Sequence, residues 1–186
     1  MGQAILNDEY VDPATYLARD ETAGTRHELI RGVLYAMVGA SRRHNMIAGN
    51  ISFSLRTQLR GTCAVFEQTQ KLRVHSNEDT AFLYPDVMTI CDPDDNDEAF
   101  AERPCLIVEV LSPSSQALDR IGKLAIYRSI PTLDTYILVA QDLWHIEVFE
   151  RATGWRPRIL GDEETISVCA GKATLTGAAI YDEVRF

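Results

Sequence analysis

The run Cys105-Leu106-Ile107-Val108-Glu109-Val110-Leu111 is apolar at every position but one, and that one is a carboxylate. A strand with apolar side chains on both faces has to be covered on both. The chain therefore needs a sheet with other elements packed against each side of it. An ionised carboxylate in such company is costly unless it is paired, hydrogen-bonded or bound to a metal. A second run, Tyr84-Pro85-Asp86-Val87-Met88, repeats the pattern with Asp86 as its acid. It reads as part of one strand over 82–91. If the two strands are neighbours, Asp86 and Glu109 reach one small volume.

Two carboxylates with a main-chain carbonyl and waters suit a hard octahedral cation, Mg2+ or Mn2+. Such an ion polarises a phosphoryl oxygen and lowers the pKa of a bound water. Phosphodiester hydrolysis also needs a cation to position the water and offset developing charge. Lys123, on the helix after Glu109, is the candidate. It has a plainer reading too. Asp119 lies four residues before it, the favourable orientation for a helix-surface ion pair worth a few tenths of a kcal/mol. Asp86 can likewise be read as a turn or capping residue.

In chain order, Asp12-Pro13 starts a short helix that runs to about Glu21 and is broken by Thr22-Ala23-Gly24. His27–Arg31 and Val33–Val38 read as a hairpin turning at Gly32. Glu28 is the acid of its first strand and reads as a cross-strand partner for an arginine. Ser41 caps a long helix ending at Gly61, with Ile47, Ile51, Leu55 and Leu59 as its apolar stripe. Arg42, Arg43 and His44 crowd its first turn, at the wrong end of the helix dipole for cations, which hints at an anionic ligand; the plainer reading is a solvated surface turn. Short strands follow at 63–67 and 71–74. After Glu109, Ser112–Ser115 is a capped turn into a helix over 115–130, with Asp119, Lys123 and Tyr127 on one face. Strands at 134–139, 143–149 and 154–160 form a meander in which Glu147 faces solvent. A short strand at 166–168 and a terminal element over 175–184 complete the chain. One α/β domain is the economical expectation.

A net charge of −9 argues against broad, nonspecific affinity for nucleic acid, although a basic face beside the acidic stretch 92–102 fits the pattern. Cys63, Cys91, Cys105 and Cys169 are far apart and form no C-x-x-C pair, so buried reduced thiols are expected ahead of zinc or disulfide roles. His27, His44, His75 and His145 also lack ligand spacing. No apolar run approaches the roughly 20 residues that span a bilayer. The first residues lack the basic start and long apolar run of a signal peptide, which makes a cytoplasmic protein without a membrane partner the expectation.

The runs HELIRGVLYAMVGASRRHNMIAGNIS, FLYPDVMTICDP, PCLIVEVLSPSS and DRIGKLAIYRSIP, in this order and spacing, resemble the Uma2-type endonucleases (DUF820). These are a bacterial branch of the PD-(D/E)XK, or restriction-endonuclease-like, superfamily. The resemblance extends over Glu28 to about Phe149. It implies an α/β (α+β) fold: a central mixed sheet flanked by helices, here with an added antiparallel meander, in one domain over 1–186 with a core at about 26–150. It implies Asp86 as the PD aspartate, Glu109 as the second acid and the Val110 carbonyl as a metal ligand. The sequence departs from the pattern at Leu111, where the superfamily carries lysine; in this branch the lysine moves to the next helix, at Lys123. Glu28 becomes an additional acid near the metal. Arg42, Arg43, His44 and Lys71 are candidates for contact with the nucleic-acid backbone.

The reading is a Mg2+- or Mn2+-dependent endonuclease that hydrolyses nucleic acid, DNA first, by attack of an activated water. The alternative is a catalytically weak or inactive nucleic-acid-binding or protein-interaction module on the same fold. A metal hydrolase of another phosphate ester is a third reading. Superfamily members often pair, and the strands after Asp134 offer an edge for a homodimer.

Overall fold

The computed structural model describes residues 2–4, 10–20, 25–37, 39–76, 79–112, 118–161 and 163–186. The expected break at Thr22–Gly24 and the expected helix start at Ser115 lie outside them.

Strand β1 (Gly2–Ala4) precedes helix α1 (Pro13–Asp20). Asp12 caps α1 as its position before Pro13 suggests, accepting from the Ala14 and Thr15 N–H groups, each at 3.0 Å. Tyr16 stacks on Phe82, ring centroids 4.9 Å apart, which docks α1. Strands β2 (His27–Ile30) and β3 (Val33–Met37) form the expected hairpin. Its two turn residues, Arg31 and Gly32, have φ of 51° and 74°. That is the left-handed geometry of a two-residue hairpin turn, and glycine adopts it without strain.

Ser41 caps helix α2 (Arg42–Leu59), accepting from His44 N–H at 3.1 Å. Ile47, Ile51, Leu55 and Leu59 are all fully buried. Burying each contributes about 1.5–3 kcal/mol, so this stripe anchors α2 firmly.

The chain continues through β4 (Ala64–Glu67), β5 (Leu72–His75), β6 (Thr80–Leu83), β7 (Val87–Ile90) and β8 (Leu106–Leu111). A wide helical turn of π type, Leu118–Lys123, then runs into α3 (Leu124–Tyr127). After it come β9 (Thr135–Ala140), β10 (Ile146–Glu150), β11 (Pro157–Ile159), β12 (Thr165–Val168), β13 (Ala173–Thr176) and α4 (Gly177–Ile180). No helix among the described residues is long and apolar enough to cross a membrane.

Two sheets carry the architecture. One is antiparallel, in the order β1-β3-β2-β6-β5; the other is mixed, in the order β11-β10-β9-β8-β7-β4, with β8 and β9 its parallel pair. A parallel pair needs a crossover, and the segment between β8 and β9, which contains the π turn and α3, supplies it. On β8, period-2 alternation sends Leu106, Val108 and Val110 into the cluster packed by α2. Ile107 and Leu111 go to the opposite cluster, with Tyr127 and Tyr136. Glu109 shares their face. The sandwiching predicted from the apolar run is therefore present: α2 on one side, the crossover on the other.

Four expectations are corrected. The strand over 82–91 is two strands in two different sheets, parted at Tyr84-Pro85-Asp86. Proline cannot donate to a ladder, and the chain changes sheets there. The helix after β8 is a π turn and one α turn rather than regular α-helix in its described part. Glu147 is buried rather than solvent-facing, because the crossover covers its face: Arg120 pairs with it, and His145 Nε2 lies 3.0 Å away. Cys63 and Cys91 are joined in a disulfide.

Candidate active site

The hand-over between the sheets is where the acids meet. Glu28, on β2, accepts from the Tyr84 N–H at 3.0 Å, which ties the first sheet to the chain as it leaves β6. Asp86 sits one residue before β7. Its Oδ2 accepts from the Val110 N–H at 2.7 Å, so it is held beside the residue that follows Glu109.

Lys123 Nζ lies 3.0 Å from Glu28 Oε1, 3.1 Å from Glu109 Oε1 and 3.4 Å from Asp119 Oδ1, and all four side chains are buried. Tyr127 donates to Glu109 Oε1 at 2.7 Å. The face Asp119-Lys123-Tyr127 read from the four-residue spacing thus closes over Glu109. Tyr136, on β9, donates to the Asp119 carbonyl at 3.1 Å and holds the wide turn in place. A π turn inserted in a helix often marks a functional position; here it carries both Asp119 and Lys123.

Burial pushes the Glu109 carboxyl well above the usual range, and Asp86, Asp119 and Glu28 push the same way against the opposing pull of Lys123. Burial works to lower Lys123, but Glu109, Glu28 and Asp119 outweigh it and hold the ammonium well above its ordinary value. Lys123 keeps its proton. Three buried carboxyl groups, Glu28, Glu109 and Asp119, then surround one fixed cation, and a fourth, Asp86, is held against the Val110 N–H, one residue beyond Glu109. A surplus of hard oxygen donors over positive charge is what a divalent ion of the Mg2+ type would balance, so the chemistry of this donor set fits such an ion, while among the described residues no three of these acids bring their oxygens within 4.8 Å of one another.

His44, from the first turn of α2, places Nε2 3.0 Å from Asp86 Oδ2. Gln68 donates to Asp86 Oδ1 at 3.1 Å and approaches His44 Nδ1 at 3.4 Å. A neutral His44 with its proton on Nε2 satisfies both contacts. His44 is therefore a buried partner of Asp86 and not an exposed phosphate contact. Arg42 and Arg43, in the same turn, are exposed and border a groove with Arg185. Lys71 is engaged elsewhere: it pairs with Asp20 at 2.7 Å and lies over the Tyr16 ring at 5.2 Å.

Sequence reasoning did not single out Gln68, Tyr136 or the Asp86–His44 pair. Gln68 lies just after β4 in a turn, where nothing local marks it. Spacing puts Tyr127 on the Lys123 face, but nothing in the sequence marks its hydrogen bond to Glu109.

The model of the Uma2 family, described as "Putative restriction endonuclease", matches residues 13–178. The chain belongs to the Uma2 family. Two Synechocystis proteins are similar to this Uma2 chain. The uncharacterized protein slr1290 is 34% identical over 143 residues, covering 76% of this chain and 74% of its own length. The uncharacterized protein sll1609 is 33% identical over 151 residues, covering 79% and 84%. The crystal structure of "a putative nuclease belonging to DUF820" from Anabaena variabilis shares the fold, with a TM-score of 0.68, 14% identity, and coverage of 83% of this chain and 89% of that one. The Uma2 chain thus has the restriction-endonuclease-like fold read from its sequence. Families with this fold generally use divalent metals.

Proposed function

We propose that this chain is a divalent-metal-dependent endonuclease that cleaves DNA phosphodiesters, with Mg2+ or Mn2+ as its ion. The observation that carries the reading is the position of Lys123 Nζ, buried between Glu28 and Glu109. It stands in for the lysine that Leu111 replaces.

Asp86, Glu109 and the Val110 carbonyl would hold the ion. When bound, it polarises the phosphoryl oxygen and lowers the pKa of a coordinated water. Lys123, still protonated, donates hydrogen bonds to the attacking water and offsets the charge that develops on the phosphate. Glu28 and Asp119 fix the ammonium, and Tyr127 fixes the Glu109 carboxylate. His44 and Gln68 orient Asp86. Arg42 and Arg43 contact phosphates and set the position of the strand. A homodimer would use the outer strand β11, whose Ile159 is exposed.

A second reading has an observation in its favour. Both Asp86 oxygens already have protein partners, in Val110, His44 and Gln68. A chain that keeps them so would be a binding module with little activity.

Relaxation of supercoiled plasmid, with Mg2+, with Mn2+ and with EDTA, separates the two. The nuclease reading expects metal-dependent nicking that Asp86→Ala and Glu109→Ala abolish, and a matched RNA tests the preference for DNA. Metal-dependent nicking unchanged by both substitutions would show the site assignment to be wrong. Metal-dependent binding of the plasmid without any nicking would favour the module.

A further inference from the structure

All four cysteines of the chain come together at one end of the mixed sheet. Cys63 precedes β4, Cys91 follows β7, Cys105 precedes β8, and Cys169 lies in the turn between β12 and β13. Cys63 is bonded to Cys91. Cys91 Sγ lies 3.5 Å from Cys105 Sγ, and the sulfurs of Cys91, Cys105 and Cys169 all lie within 4.8 Å of one another. Thiolates at about 2.3 Å from a tetrahedral zinc ion stand about 3.8 Å apart. One pair of the trio is near that spacing at 3.5 Å and the other sulfurs lie within 4.8 Å, while the disulfide keeps Cys63 beside them.

We propose that reduction of the Cys63–Cys91 disulfide opens a four-thiolate site for a soft divalent cation, zinc foremost, held by Cys63, Cys91, Cys105 and Cys169. The steps balance. Two equivalents of a small thiol are oxidised to their disulfide and convert the Cys63–Cys91 bond to two thiols. Binding then releases the four thiol protons to solvent.

Access and selectivity both favour this. Cys63 and Cys91 are half-buried and line a surface cleft with Gly61, Thr62, Phe66 and Asp92, so reductant and ion can approach. Cys105 and Cys169 are buried behind them. Thiolates select soft ions, whereas the carboxylates around Lys123 suit hard ones. The two places are also apart: Cys105 and Glu109 are four residues distant along one strand, about 13 Å at the rise of an extended chain. A bound ion would pin the β12–β13 turn to the sheet in the reduced protein, as the disulfide pins β4 to β7 in the oxidised one.

Cobalt and zinc titrations of the full chain test this. The reduced chain is expected to take up one Co2+ with the intense visible bands and sulfur-to-metal charge transfer of tetrahedral thiolate coordination. Zinc should bleach them, and a large excess of Mg2+ should leave them unchanged. The oxidised chain should show no such spectrum. Cys105→Ser and Cys169→Ser, each checked for folding by circular dichroism, should weaken uptake at least 100-fold. Alkylation of the reduced wild type, read by mass spectrometry, needs no variant: zinc should shield all four cysteines together. The proposal is overturned if the reduced chain gives no thiolate spectrum, if the oxidised chain gives the same spectrum, or if zinc leaves alkylation unaltered.

Discussion

Lys123 Nζ lies 3.1 Å from Glu109 Oε1, although the two residues are 14 positions apart and belong to different elements. The ammonium reaches the acid of β8 from the crossover that covers that strand. Leu111, two residues after Glu109, packs instead into the apolar cluster with Tyr127 and Tyr136. An ammonium that reaches an acid on another element needs a fixed backbone to aim it. The Tyr136–Asp119 hydrogen bond at 3.1 Å provides part of that fixity.

Removing Lys123 should cost more stability than removing a surface lysine. Lys123→Ala leaves Glu28, Glu109 and Asp119 buried without their shared cation. Breaking a buried pair in this way costs about 3–5 kcal/mol. Urea unfolding should show that loss. Adding Glu109→Gln should restore part of it, because one of the stranded charges is then gone. Strict additivity of the two changes would mean that the residues are not coupled.

His44 should act through Asp86. His44→Ala removes a donor from Asp86 Oδ2 but leaves the Val110 N–H in place. Loss of such a supporting hydrogen bond typically weakens metal affinity or activity by about 10–100-fold. The expected result is a raised Mn2+ Kd with an unchanged circular dichroism spectrum, and partial recovery in His44→Gln, which can still donate.

Arg42 and Arg43 should contribute charge without base preference. Replacing both with Ala is expected to reduce the slope of log affinity against log salt for DNA by about 2. Filter binding at several salt concentrations measures it, and stability should change little because both side chains are exposed.

Tyr181 should make stability sensitive to alkali. Its hydroxyl donates to the Ala140 carbonyl at 2.8 Å and accepts from the His145 N–H at 3.2 Å. Burial pushes the phenol up to about 12, against an ordinary value of 10.0. The folded state holds this proton more tightly than the unfolded state does. The contribution is therefore complete below pH 10 and is lost as pH rises through 12. Tyr181→Phe should be less stable than wild type at pH 8 by about 1 kcal/mol. The gap should close as pH approaches 12, in urea midpoints measured across that range.

The parts of this fold that were legible in the sequence are those that local pattern decides. The apolar run, interrupted at one position only, marked β8 and isolated Glu109, and the four-residue stripe marked α2. The spacing Asp119-Lys123-Tyr127 placed three side chains on one face whether the turn was α or π. What could not be read depends on contacts made across the chain. Tyr84-Pro85-Asp86 lies inside one apolar stretch, yet the strands on either side join different sheets, a choice made by β2 and β8 as partners. Glu147 alternates like a solvent-facing residue until the crossover covers it. The cysteines come from four separate elements, so no sequence spacing could bring them together.

Whether Asp86 and Glu109 hold a divalent ion is read by titration of Mn2+ followed by electron paramagnetic resonance. Bound Mn2+ is expected in the wild-type chain, competed by Mg2+, and should be lost in both Asp86→Asn and Glu109→Gln while each variant stays folded. Equal Mn2+ binding by the wild type and both variants would contradict that assignment.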